Sequence, residues 1–327
     1  MQLEIGCGDT HLACCAARPR TTNSKVSSPG IARLAPVEAR TGFVSAGTGR
    51  LQVREIGQGP SIVVLHGGPD FDYDYLLPEL DVLAERFRVI YYDQRGRGRS
   101  ADGVRPGDVS EASEMEDVDH VRRHFGLERM AVLGHSWGAV LAMEYASRHP
   151  ERLTQLILLN TAPASSEDVR VFREHLRCIR AAGDVEAMNS LAATAEYRAG
   201  NLDVESEYYR IHFRPAVKAA GLLDRLIPRL RANYTPERVL KARAIEHRLY
   251  SETWSSPRYD LLRRLHRLTV PTLVIHGEDD FVPVDVAVHI ADAIPGTRLI
   301  VLPNCGHFAY LEAPAAVVRQ VGELCTG

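Results

Sequence analysis

A serine stands between two glycines in Gly134-His135-Ser136-Trp137-Gly138, where the apolar run 130–134 gives way to an amphipathic stretch over 137–149. An alcohol at a strand-to-helix turn can serve as a nucleophile. The strained turn lifts its Oγ above the sheet edge, near the positive end of the following helix. A side chain at 134 or 138 would collide with the neighbouring strand or helix, which accounts for both glycines. An ordinary tight turn is the competing explanation, and the strand–turn–helix setting favours the nucleophile. A hydroxyl attacks a carbonyl only when a base takes its proton, so a carboxylate and then a histidine should follow, each just past a strand.

The stretch TLVIHGEDDFVP (272–283) supplies the acid. Asp280 lies three residues past Gly277 and begins a turn closed by Pro283; Asp279 is its rival and Glu278 a more distant third. IVLPNCGHF supplies His307 just past the last strand-like run, whereas His120, His124 and His149 sit within helix patterns. Developing negative charge needs donors, and VVLHGGPD (63–70) leaves a strand into two glycines and a proline, so that backbone amides can face the site unobstructed. The amides of Gly68 and Trp137 are assigned as the oxyanion hole.

These residues must be carried by a sheet. The runs 61–66, 88–93, 130–134, 156–160, 272–277 and 298–303 read as strands that are continuously apolar. Such runs, separated by helices, imply a parallel sheet covered on both faces. An opening hairpin is expected around Gly47-Thr48-Gly49-Arg50. Helices are predicted over 113–125, 137–149, 284–294 and 313–325. Between Ala162 and Leu265 every segment has helical periodicity, which predicts a helical cap over the carboxyl edge, where α/β sheets bind ligands. The chain divides into an N-terminal extension expected to be disordered (1–38), a first core part (39–162), the cap (163–264) and a second core part (265–327).

Composition narrows the class. The 327 residues carry a net charge of −3, which gives no reason to expect nucleic acid or an anionic membrane as partner. No apolar run approaches the roughly 18 residues of a membrane span. Glu4 and Asp9 interrupt any signal-peptide core, so the expected location is cytoplasmic. Six cysteines do not make a disulfide framework. Cys7, Cys14 and Cys15, with His11 among them, fit no zinc spacing, and no metal site is expected. The Arg- and Ser-rich start also reads as a weak transit peptide or an upstream extension of the reading frame.

Taken together, LHGGP (65–69), YYDQRGRGRS (91–100), GHSWG (134–138), HGEDDFVP (276–283) and CGHFAYLEAP (305–314) resemble the α/β-hydrolase fold, and within it the proline iminopeptidase-like group. They span about residues 41–327 in the family's order. The resemblance implies Ser136 as nucleophile, Asp280 as orienting acid, His307 as base and Gly68 with Trp137 as oxyanion donors. DQRGRGRS reads as architectural, since it lacks the third glycine of a dinucleotide loop. Two departures stand out. Asp70 replaces the last glycine of the family's His-Gly-Gly-Pro-Gly, where a carboxylate would either repel the oxyanion or turn to solvent. VESEYYRIHF (204–213) only loosely matches the cap stretch with which iminopeptidases hold a substrate's free amine, leaving Glu205 or Glu207 as candidates against their reading as solvated helix charges.

The expected activity is serine hydrolysis through an acyl-enzyme, without cofactor, on a small-molecule or short-peptide substrate: an N-terminal proline peptide or amide, or else a small ester or lactone. A binding protein that has kept the fold without turnover is the alternative of a different class. Carbon–carbon cleavage on the same fold is a third reading, and the aspartate-nucleophile branch is disfavoured by Ser136. The number of subunits is not legible in the text.

Overall fold

Eight strands carry the molecule in a computed structural model that describes residues 38–326 except 48 and 220. In chain order they are β1 (Arg40–Ala46), β2 (Gly49–Ile56), β3 (Ser61–Leu65), β4 (Arg88–Tyr92), β5 (Met130–Ser136), β6 (Leu153–Thr161), β7 (Thr272–Gly277) and β8 (Arg298–Leu302). They form one sheet in the order β1-β2-β4-β3-β5-β6-β7-β8. The β1–β2 hairpin and the β2–β4 pair are antiparallel, and every later pair is parallel. In β7 all six residues are buried, and in β3 and β5 all but one terminal residue. Side chains alternate across a sheet, so strands with no exposed side chain must be covered on both faces.

Twelve α-helices accompany the strands among the described residues: α1 (Glu111–His124), α2 (Trp137–Arg148), α3 (Ser166–Ile179), α4 (Asp184–Ala192), α5 (Ala195–Arg198), α6 (Leu202–His212), α7 (Gly221–Leu230), α8 (Pro236–Glu252), α9 (Leu262–Leu265), α10 (Val284–Ala293), α11 (Ala309–Glu312) and α12 (Pro314–Thr326). Helix α2 packs on β5 and β6, and α10 on β7 and β8. None of them is long and apolar enough to cross a membrane. Helices α3–α9 fall between β6 and β7, where helical periodicity without strands is expected, and only a lone bridge joins Ser165 to Asp260. The N-terminal extension, with its expected disorder and its Cys7–Cys14–Cys15–His11 grouping, lies outside the described residues. One expectation needs correction. β8 is the sheet edge among the described residues and is half-exposed rather than buried, with Val301 38% accessible. The helix expected over 313–325 is α12, which Pro314 opens; the short α11 before it was not expected.

The chain leaves β3 for β4 on one side of it and then returns to β5 on the other. A crevice opens at the carboxyl ends of β3 and β5, where strand order reverses. The two glycine motifs sit at this crevice.

Candidate active site

Ser136 ends β5 with φ 55° and ψ −120°, a conformation that costs a non-glycine residue energy and persists only because packing dictates it. The flanking glycines are sterically required. A Cβ on Gly134 would lie 2.3 Å from the Gly138 carbonyl oxygen, and one on Gly138 would lie 2.0 Å from that of Leu65. Oγ of Ser136 is 2.9 Å from Nε2 of His307, in the loop after β8, although 171 residues separate them. Nδ1 of His307 faces both carboxylate oxygens of Asp280, in the loop after β7, at 2.9 and 3.0 Å. Asp280 is buried, accepts the Val282 amide at 2.8 Å and the Asn160 side-chain amide at 2.9 Å, and has His276 3.4 Å away. Burial opposes its ionisation, but the facing imidazoles of His307 and His276 and these donors hold its carboxyl below the usual range. Asp279 points outward to Lys218 at 3.1 Å, and Glu278 is exposed. Burial, which the text does not spell out, separates the three acids.

Asn160 escaped the sequence reading. It is the penultimate residue of β6, with φ 46°, donates to Asp280 and to the Gly306 carbonyl at 2.9 Å each, and accepts the Ala309 amide. An asparagine at the carboxyl end of a buried strand was the available signal, since asparagine tolerates positive φ.

Across the crevice, the Gly67 amide donates to the Tyr75 hydroxyl at 2.7 Å, and the next amide, that of Gly68, has no partner among the described residues. Gly68 adopts φ +124°, and a Cβ there would strike the Asp70 amide at 2.3 Å. Trp137 opens α2, and its amide is one of the donors that a helix start leaves unpaired.

Asp70 does not turn its carboxylate to solvent. It is buried, ion-paired with Arg231 at 2.5 Å, and it accepts the Tyr209 hydroxyl at 2.6 Å. Arg231 and the Tyr234 hydroxyl also donate to its carbonyl. Glu205, far from being a solvated charge, is buried between Arg231 at 3.1 Å and Arg243. Glu207 is exposed. Neither glutamate lines the cavity over Ser136, so both are withdrawn as substrate ligands. That cavity, about 480 Å³, is enclosed by core residues at the strand ends and by residues of α3, α6 and α8. Its wall is aromatic: Phe71, Phe172, Tyr209, Phe213, Tyr250 and Trp254 all contribute. Its acids are Asp70 and, unforeseen, Glu246 of α8, which meets the Tyr250 hydroxyl. Burial and the negative charge of Asp70 push the Glu246 carboxyl up to about 8. In the sequence, Glu246 was one helix glutamate among many, and only tertiary structure aims it inward.

The chain belongs to the α/β-hydrolase fold family, whose model matches residues 60–314, and it is a hydrolytic enzyme of that family. Among its relatives is a proline iminopeptidase of Saccharolobus solfataricus, 29% identical over 298 residues, covering 82% of this chain and 87% of that one. Two solved structures share the fold at 23% identity. The proline iminopeptidase of Mycobacterium smegmatis has a TM-score of 0.64, covering 87% of this chain and 98% of the other. The 2-hydroxy-6-oxo-6-phenylhexa-2,4-dienoate hydrolase of Rhodococcus sp. strain RHA1 has 0.69, covering 89% and 100%.

Proposed function

We propose that the chain is a serine hydrolase working through a covalent acyl-enzyme. Its specificity is like that of the proline iminopeptidases it resembles: cleavage of an N-terminal prolyl residue or of related small amides and esters. The observation that carries this reading is the 2.9 Å contact between Ser136 Oγ and His307 Nε2, with Asp280 behind the ring. In the first half-reaction His307 takes the hydroxyl proton as Oγ attacks the carbonyl carbon. Asp280 accepts from Nδ1, keeps the Nε2 lone pair turned to the serine, and stabilises the imidazolium. The amides of Gly68 and Trp137 receive the oxyanion. His307 then protonates the leaving amine or alcohol, and water repeats the cycle on the acyl-enzyme.

The substrate's amine is assigned to Glu246. A protonated carboxyl beside an anionic Asp70 readily releases its proton to solvent when an ammonium arrives, or passes it to an arriving neutral amine, since the new cation replaces the charge that the proton neutralised. Pro-β-naphthylamide and a short-chain p-nitrophenyl ester test this on the purified protein. The amide should be preferred, Ser136→Ala should lose both activities and its labelling by a fluorophosphonate, and Glu246→Gln should raise KM for the amide far more than for the ester. Equal fluorophosphonate labelling of wild type and Ser136→Ala would end the reading.

A small-molecule carboxylesterase or lactonase is the second reading. It is favoured by the same Glu246, which when protonated leaves an aromatic wall suited to an uncharged acyl group. Ester turnover exceeding amide turnover would select it. Any p-nitrophenyl ester turnover that depends on His307 would exclude a binding protein without catalysis.

A further inference from the structure

We infer that Tyr75 and His135 form a hydrogen-bond relay of fixed polarity that holds the oxyanion loop and the His307 loop in register around Ser136. This inference rests on the serine-hydrolase reading above. Both side chains line the cavity beside Ser136, and both are buried. The relay runs from the Gly67 amide to the Tyr75 hydroxyl at 2.7 Å, on to His135 Nδ1 at 2.8 Å, and from His135 Nε2 to the His307 carbonyl at 3.0 Å.

The polarity of each link follows from the two ends. A backbone N–H only donates and a carbonyl only accepts. Nε2 of His135 must therefore carry a hydrogen, and the Tyr75 oxygen must accept from Gly67. Burial first, and the neighbouring His307 second, lower His135 to about 3, so the ring is neutral and Nδ1 bears a lone pair. The single hydroxyl hydrogen of Tyr75 then goes to Nδ1. Every donor in the relay is used once and no alternative tautomer satisfies it.

Its placement gives it a task. By occupying the Gly67 amide, Tyr75 leaves Gly68 as the next donor along the loop that faces the site. By gripping the His307 carbonyl, His135 sets the backbone of the base from the residue adjacent to the nucleophile. Tyr310 donates to the Tyr75 carbonyl at 3.0 Å and ties the relay to α11. Gly67 has no room to drift, because a Cβ there would lie 2.8 Å from the Tyr75 hydroxyl oxygen and 2.9 Å from Ser136 Cβ. Tyr75 and His135 are thus positioning residues that act through Gly68 and His307.

The test is a set of variants read by kinetics and by nitrogen-15 NMR of the histidines in the full chain. His135→Phe and Tyr75→Phe should each lower kcat for a p-nitrophenyl ester by about 10- to 100-fold, the scale of a misplaced reacting group, with KM within about twofold. His135→Gln restores a donor near the Nε2 position and should recover kcat to within a few-fold of wild type. The double Phe variant should fall little further than the worse single one, since both break one chain. The NMR spectrum of wild type should show His135 neutral and Nε2-protonated from pH 5 to 9. The Tyr75→Phe spectrum should keep the Nε2 hydrogen, which the His307 carbonyl still requires, while the Nδ1 resonance shifts as its hydroxyl donor is lost. Titration of His135 in that range, an Nδ1-protonated ring, or unchanged kcat in both Phe variants would overturn the relay. The NMR arm needs no turnover, so a wild type inactive on every ester would count against the hydrolase reading while leaving the relay decided.

Discussion

Single side chains decide the chemistry at the rim of the sheet. Asp280 and Asp279 are neighbours in sequence, yet one is buried against His307 and the other pairs with Lys218 at the surface. Asp280→Asn should reduce kcat by about 10⁴-fold, because the amide no longer holds the tautomer that leaves Nε2 free to accept. Asp279→Asn should leave kcat within about twofold, as expected when only an exposed ion pair is lost. Steady-state kinetics of the two variants on one ester check the assignment. An equal loss from Asp279→Asn would move the acid by one residue. Serine and histidine were legible in the text because each stands at a turn after an apolar run, a local signal. Asn160 and Glu246 were not, because their partners lie on other elements.

Among elements, the tight entry from β5 into α2 and the contact between inserted helices and core respond differently to mutation. Gly138→Ala drives a methyl to 2.0 Å from the Leu65 carbonyl, a backbone atom of the adjacent strand that cannot step aside. It should cost about 3 kcal/mol and abolish activity together with stability, read by urea unfolding and ester turnover. Arg231 of the stretch after α7 joins Asp70 of the core to Glu205 of α6. Arg231→Met strands the buried Asp70 carboxylate and leaves Glu205 with Arg243 as its ion-pair partner, and should destabilise by about 3–5 kcal/mol in the same urea experiment. The departure at Asp70 is therefore structural. The carboxylate replaces the family's glycine as an anchor between core and inserted helices, a role invisible until Arg231, 161 residues away, is brought beside it.

For the whole molecule, buried titratable groups set how stability follows pH. His66, His135 and His212 are lowered to about 3 by burial, so the unfolded chain binds more protons below its own histidine value of about 6.5. They make stability rise with pH up to that point. Burial raises Glu246 to about 8 and Asp117 to about 7, so there the folded state holds the extra proton. Their contribution is complete below the unfolded carboxyl value and is lost as pH climbs through 7 and 8. Between about pH 4.5 and 6.5 the two sets oppose one another; above 6.5 only the carboxyls act, and Tm should fall toward pH 8.5. Glu246→Gln should gain on wild type as pH rises from 5 to 9, by calorimetry. A constant difference in Tm would show that Glu246 is ionised in the folded protein at neutral pH.

The text alone determined the α/β sheet, the strand-to-helix turn at Ser136 and the loops that carry the acid and His307. Each depends on periodicity and turn chemistry within a dozen residues. Tertiary structure alone set Asp280, and not Asp279 or Glu278, against His307, buried Asp70 and Glu205 around arginines, turned Glu246 into the cavity and brought Tyr75 to His135. Those outcomes depend on which distant groups share a desolvated space, and burial and pairing at long range leave no mark in local spacing.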